Sequence, residues 1–293
     1  MNDDGLVRHA RRRKGLRRLF AMRSHPDVVV HQIEAARWRA EPLSILCLSD
    51  LHAMTPWSTL AALQATVAEV NSLKPDLICL LGDYVAAAAT PGRAETPERI
   101  AAVLARLEAP LGVHAILGNH DWVDDPVSQQ RSGETSAISQ ALAAEGLHPL
   151  VNSARRVSHG GTDLWLVGLD SQRVNSDGSK GRQGRHDAEQ AYAGVPEEGL
   201  SILLAHEPDY FGLGDCRPVL QLSGHTHGGQ ANLFGWRPFT PSDFRGRYAY
   251  GHVIEDDKHL VVSGGLGYTR LPLRIAQPPE ITLVLLRGAD FEE

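Results

Sequence analysis

The sequence predicts an α/β fold in which two β-sheets pack together with helices outside them, and three observations carry that prediction. The first half of the chain repeats one theme: a short apolar strand, a polar loop, then an amphipathic helix. The second half is richer in strands, as expected where a second sheet forms against the first. At 293 residues, 42% apolar and 22% charged, the chain can bury one substantial core, and no linker divides its body. A single domain is therefore expected over residues 28–293, preceded by an arm, residues 1–27.

Residues 28–33 are β-branched and read as the first strand. Residues 43–48 form the next, leading into Ser49-Asp50-Leu51-His52. Leu60, Leu63, Val67 and Val70 then recur at helical spacing, ending before Lys74-Pro75. A strand over 77–81 runs into Gly82-Asp83. Thr96-Pro97 has the form of an N-cap with proline at the first helical position, followed by an apolar stripe of Ile100, Val103, Leu104 and Leu107. A strand over 113–117 delivers Gly118-Asn119-His120-Asp121. Residues 155–158 and 164–169 flank His159-Gly160-Gly161 as a hairpin with a glycine turn. Short strands are expected at 202–205, 219–223, 260–263 and 281–286. The glycine- and charge-rich stretch 171–194 reads as a long loop able to cover a site.

The net charge is −6, but eight of the 29 basic residues (Arg8, Arg11, Arg12, Arg13, Lys14, Arg17, Arg18 and Arg23) lie near the N-terminus. Such a cluster suits peripheral contact with an anionic membrane. The acidic body disfavours nucleic acid. Only Leu19-Phe20-Ala21-Met22 follows the charges before Arg23, too short for an export signal, and no apolar run approaches the length of a membrane span. Cys47, Cys79 and Cys216 have no metal-finger spacing. Cys47 and Cys79 sit in apolar strands as buried thiols, consistent with a reducing cytoplasm.

The chemistry is legible in position. Five strands end in groups suited to metal binding: Asp50 and His52, Asp83, Asn119 and His120, His206, then His225 and His227. Loops at the carboxyl ends of strands are where α/β folds build sites. Residues two apart on an extended chain share a face, so Asp50 with His52, and His225 with His227, are expected to point together. Each pair alone is more often structural than functional; the conjunction, in order and always at a strand end, is not. Carboxylate, imidazole and amide oxygen together suit Mn, Fe, Zn, Co or Ni. Two such cations need a shared carboxylate, and the isolated Asp83 is the natural bridge.

These motifs resemble the calcineurin-like metallophosphoesterases, whose Asp-x-His, Gly-Asp, Gly-Asn-His-Asp/Glu, His and Gly-His-x-His elements occur here in that order over residues 43–230. The run from Ser223 to Gln230, with Ala205-His206-Glu207-Pro208-Asp209, is similar to a bacterial phosphodiesterase subgroup. Gly264-Gly265-Leu266-Gly267 and Leu271-Pro272-Leu273-Arg274 extend the likeness toward the C-terminus. The resemblance implies a four-layer αββα sandwich of two mixed sheets flanked by helices. It implies one divalent metal on Asp50, His52, Asp83 and His227, and a second on Asp83, Asn119, His206 and His225. Water activated between the metals would attack phosphorus, and His120, oriented by Asp121, would assist the leaving oxygen.

The Ala86–Ala89 run stands where protein phosphatases of the superfamily carry Asp-Arg-Gly, which argues against that activity. A phosphodiester or pyrophosphate bond is expected instead, in a small or lipid-linked substrate such as UDP-diacylglucosamine, which members of the resembling subgroup cleave. The expected setting is the cytoplasm or the inner membrane face. A metal-binding scaffold without turnover is one rival and a nuclease another. Arg270 and Arg274 suit phosphate contact or ion pairing; Trp57, Trp122 and Trp236 suit a pocket wall or packing; His114 suits the core.

Overall fold

The computed structural model describes residues 25–289 except Arg182, so the basic stretch of the arm lies outside the described residues. Two sheets form the centre. The first has the order β1 (Asp27–Glu34), β13 (Glu280–Arg287), β2 (Leu43–Leu48), β4 (Leu77–Leu80), β6 (Val113–Ala115). In it β2, β4 and β6 run parallel, while β13 is antiparallel to β2 and parallel to β1. The second has the order β11 (Gly251–Glu255), β12 (Lys258–Val262), β10 (Leu220–Ser223), β9 (Leu200–Leu204), β8 (Thr162–Gly168), β7 (Ser153–His159). Its four central strands are parallel and both edge strands antiparallel. A two-stranded ribbon joins β3 (Met54–Thr55) to β5 (Arg93–Ala94).

Burial follows from these layers. Ile45, Cys47, Leu77 and Cys79 on one sheet meet Leu164, Ile202, Leu220 and Leu222 on the other in a core without water-facing atoms. The opposite face of the first sheet, through Leu46, Leu48, Ile78 and Leu80, packs on the helices Leu60–Leu73, Pro97–Leu104 and Ala137–Ala144. The outer layer on the second sheet is thinner, a short helix Ala188–Tyr192 and a 3-10 turn Pro208–Leu213 against Val167, Leu169 and Leu203. Two mixed sheets with outer helices are thus found as expected. Thr59 and Thr96 cap their helices through Oγ1, and Lys74 closes the first of these helices in the left-handed region.

Three features differ from the sequence reading. Strand β11 and the helices Pro126–Gln130 and Ala137–Ala144 were not predicted, because each is short and its large apolar residues are too few to set a clear period. The 171–194 stretch is not a free cover. Val174 is buried in the core, Ser171 donates to Glu207, and Arg185 holds Asp170 at 2.8 Å. Arg274, considered for phosphate contact, is fully buried and donates to the carbonyls of Gly264 and Gly267. Among the described residues no helix is long and apolar enough to cross a membrane.

Candidate metal centre

The parallel strands β2, β4 and β6 of one sheet and β9 and β10 of the other finish at a common end, and their carboxyl-terminal loops meet there. The backbone binds them into one unit: Asp50 N–H donates to Gly82 O, His52 N–H to Asp83 O, and Gly224 N–H to His206 O. The predicted pairs do not share a face through extended backbone. Asp50, His52, Asp83, His225 and His227 all have positive φ, between 42° and 70°, so each loop turns sharply as it leaves its strand. Such conformations carry strain, and they cluster where a site over-determines the backbone. Leu51 does pack into the core as expected.

Close approach requires glycine at two points. Gly82 has φ +92°, and a Cβ there would lie 2.4 Å from Gly118 N. A Cβ on Gly224 would lie 1.8 Å from Ser49 Oγ and 2.6 Å from Asp50 Oδ2. The loops after β2 and β10 can therefore touch only because residue 224 has no side chain.

Three overlapping clusters result. Asp50, His52 and His227 offer atoms within 4.8 Å of one another, and so do Asp83, His206 and His225, and His52, Asp83 and His120. Asp83 joins them, its Oδ2 being 3.1 Å from His206 Nε2 and 3.6 Å from His52 Nε2. His227 Nε2 is 3.4 Å from Asp50 Oδ1 and 3.2 Å from His52 Nε2. Asn119 ends the β6 loop, next to His120, whose N–H donates to Asp83 Oδ1 at 2.8 Å. The structure therefore brings Asp50, His52, Asp83, His206, His225 and His227 together, with Asn119 at their margin.

The electrostatics are those of a site built for cations. Burial alone would raise the Asp83 carboxyl, but the imidazoles of His206, His120 and His52 outweigh it and hold it well below the ordinary carboxylate range. Burial lowers His52 to about 4 and pushes His225 and His227 well below their usual value, so these imidazoles stay neutral with lone pairs available. Burial pushes Asp50 up to about 6. His52 and His206 direct Nδ1 at the carbonyls of Val85 and Leu81, at 2.9 and 2.6 Å, which leaves Nε2 facing Asp83. Among the described residues, Asn119 Oδ1 and His225 Nε2 are buried without a hydrogen-bond partner, while His206 Nε2 meets only Asp83. Orphaned polar atoms converging with a buried carboxylate fit cation binding, and nothing in the donor set conflicts with it.

One assignment changes. Asp121 does not orient His120. Its carboxylate accepts the backbone N–H groups of Asp83, Tyr84, Val85 and Gly118, and so clamps the β4 and β6 loops together. Asp124 meets His120 instead, Oδ2 to Nδ1 at 2.5 Å. Sequence reasoning passed over Asp124, although its separation of four residues from His120 was the available signal once a helical turn is recognised there. His120 stands edge-on to His52 with ring centroids 5.0 Å apart. Burial would lower its pKa, but Asp83 and Asp124 outweigh that and raise it. Arg274 lies behind the site, its guanidinium 3.3 Å from His227 Nδ1. Trp122 is core, donating to Asp170; Trp57 donates to Pro91 O; Trp236 is exposed.

Comparison with known proteins agrees with this geometry. Residues 43–229 match the family described as calcineurin-like phosphoesterase. The uncharacterized metallophosphoesterase YkuE of Bacillus subtilis is 32% identical over 249 residues, covering 84% of this chain and 79% of its own. The phosphodiesterase YaeI of Escherichia coli is 29% identical over 263 residues, covering 89% and 88%. The UDP-2,3-diacylglucosamine pyrophosphatase LpxG of Chlamydia trachomatis is 29% identical over 283 residues, covering 83% of each chain.

Proposed function

The chain belongs to the calcineurin-like phosphoesterase family and is a phosphoric ester hydrolase; from that premise we propose that it cuts a phosphodiester or pyrophosphate bond at a two-cation centre. Asp50, His52, Asp83 and His227 would hold one cation, and Asp83, Asn119, His206 and His225 the other. When bound, the pair supplies Lewis acidity, neutralising phosphate oxygens and making water a stronger nucleophile near neutral pH. The observation that carries the reading is Asp83 Oδ2, set between the Nε2 atoms of His52 and His206.

The chain's own residues supply the rest. His120, its proton stabilised by Asp83 and Asp124, is the group that would protonate the leaving oxygen. Asp124 keeps the ring pointed by taking Nδ1–H. Asp121 keeps the Asp83 and Asn119 loops in register. The carbonyls of Val85 and Leu81 fix the tautomers of His52 and His206.

A substrate with an apolar portion is favoured by one feature. A cavity of about 450 Å³, lined in part by Leu51, Trp57, Leu63, Leu266 and Tyr268, opens beside the loop that carries Asp50 and His52. The LpxG relative is named for a lipid-bearing nucleotide pyrophosphate. Assays with added Mn on a nucleotide-linked pyrophosphate, an aryl phosphodiester and an aryl phosphomonoester test the reading. Turnover of the first two in excess of the third is expected. Turnover of the monoester alone, or turnover unaffected by chelator, would contradict it.

A further inference from the structure

A second feature lies just past the metal centre in the chain. Three residues beyond His227, Gln230 takes Thr269 N–H on Oε1 and donates to the carbonyls of Thr269 and Leu271. Arg237 reaches back to Gly228 O and to Gln277. Between these anchors the chain makes a tight hairpin in which Leu233 and Trp236 exchange both backbone hydrogen bonds, at 2.9 and 3.1 Å.

The tip of this hairpin is costly in two independent ways. Phe234 and Gly235 both have positive φ, 55° and 97°. Turns with two positive φ angles strongly prefer asparagine, aspartate or glycine at the first position, and a bulky side chain there is strained. Phe234 is also fully exposed, and it does not stand alone. Trp236, Phe239 and Leu271 are 66%, 72% and 67% exposed. Strain and lost burial at the same residue, held by a braced turn, point to a use for the exposed ring rather than to accident.

We propose that this tip, Phe234 with Trp236, Phe239 and Leu271, inserts into the interfacial layer of a lipid bilayer and sets the metal centre against the membrane surface. Protruding Phe, Trp and Leu on a loop suit the acyl–headgroup boundary better than a flat protein partner. Charge agrees. Arg270, beside Leu271, and Arg245 are exposed and suit headgroup phosphates. Asp243, the nearby acid, is taken by Arg173 at 3.3 Å. The eight basic residues of the N-terminal stretch add attraction to an anionic surface, but a hydrophobic tip predicts a component that salt does not remove.

The test is co-sedimentation of the full chain with phosphatidylcholine vesicles, and with vesicles also holding phosphatidylglycerol, at about 0.5 M salt to screen the basic stretch. Trp236 fluorescence is read at the same time with brominated lipid. The expected result is binding to both vesicles, quenching that disappears in Trp236→Phe, and loss of affinity of at least about tenfold in Phe234→Asp. Hydrolysis of a soluble phosphodiester should be unchanged in Phe234→Asp, which excludes misfolding. Binding that is abolished by salt in the wild type, or retained in Phe234→Asp, would overturn the proposal. So would concentration-dependent dimers lost in Phe234→Asp, which would make the tip a contact between copies. Binding is measured without substrate, so its failure would leave the hydrolase reading intact.

Discussion

At the scale of single residues, neighbouring aspartates do different work. Asp124 touches His120, whereas Asp121 faces backbone. Asp124→Asn should therefore lower kcat about tenfold on substrates with poor leaving groups, with KM nearly unchanged and metal content intact, since it removes the charge that stabilises the His120 proton while leaving an acceptor for Nδ1–H. His120→Ala should lose about 10²–10³-fold on the same substrates and less on activated aryl esters. Asp121→Ala should show the opposite profile. It leaves four buried N–H donors without an acceptor, a loss of about 3–5 kcal/mol, seen as a lower Tm before any change in mechanism. If Asp121→Ala were stable but selectively defective on poor leaving groups, the clamp role would be wrong.

At the scale of elements, strands and loops were not equally legible. The apolar runs before Asp50, Asp83, Asn119, His206 and His225 identified the strands, and strand polarity alone then placed their ends together. What the residues could not reveal was the backbone of the loops. Asp50, His52, Asp83, His225 and His227 look extended in sequence, yet each is left-handed, a conformation imposed by tertiary contacts such as Gly224 against Ser49. Gly224→Ala tests that contact. Its Cβ would collide with Ser49 and Asp50, so metal affinity should fall at least about tenfold while the fold, read by circular dichroism, persists.

Strand β11 was missed because Gly251-His252-Val253-Ile254-Glu255 has only a weak alternation, and as an edge strand it is ordered by its pairing with β12. That pairing sets His252 Nε2 3.0 Å from His259 Nδ1. Burial, then the neighbouring His259 and His31, lowers His252 to about 4, and burial also lowers His31 and His259. A histidine whose folded value lies below its unfolded one favours folding above about pH 6.5, and that contribution is lost as pH falls toward 4. After discounting for partial exposure, His252 alone contributes about 1 kcal/mol. Denaturant midpoints should therefore drop across this window, less steeply in His252→Phe. An unchanged slope in that variant would contradict the assignment.

At the scale of the whole molecule, two sheets that pack through Ile45, Cys47, Leu77, Ile202 and Leu222 bring their parallel strands to one end, and the centre is the only outcome of that packing where buried carboxylates and imidazoles converge among the described residues. The hairpin tip at Phe234 was less legible. Its aromatics were visible in sequence, but whether Trp236 walled a pocket or faced outward depended on the turn between them. The central claim is that Asp83 is shared by two cations. Metal content by mass spectrometry, measured beside activity in the wild type and in Asp83→Asn, tests it most directly. About two divalent ions per chain are expected in the wild type, with loss of at least one of them and a fall in kcat of about 10³-fold or more in Asp83→Asn. Full metal content together with near-normal turnover in Asp83→Asn would contradict the account.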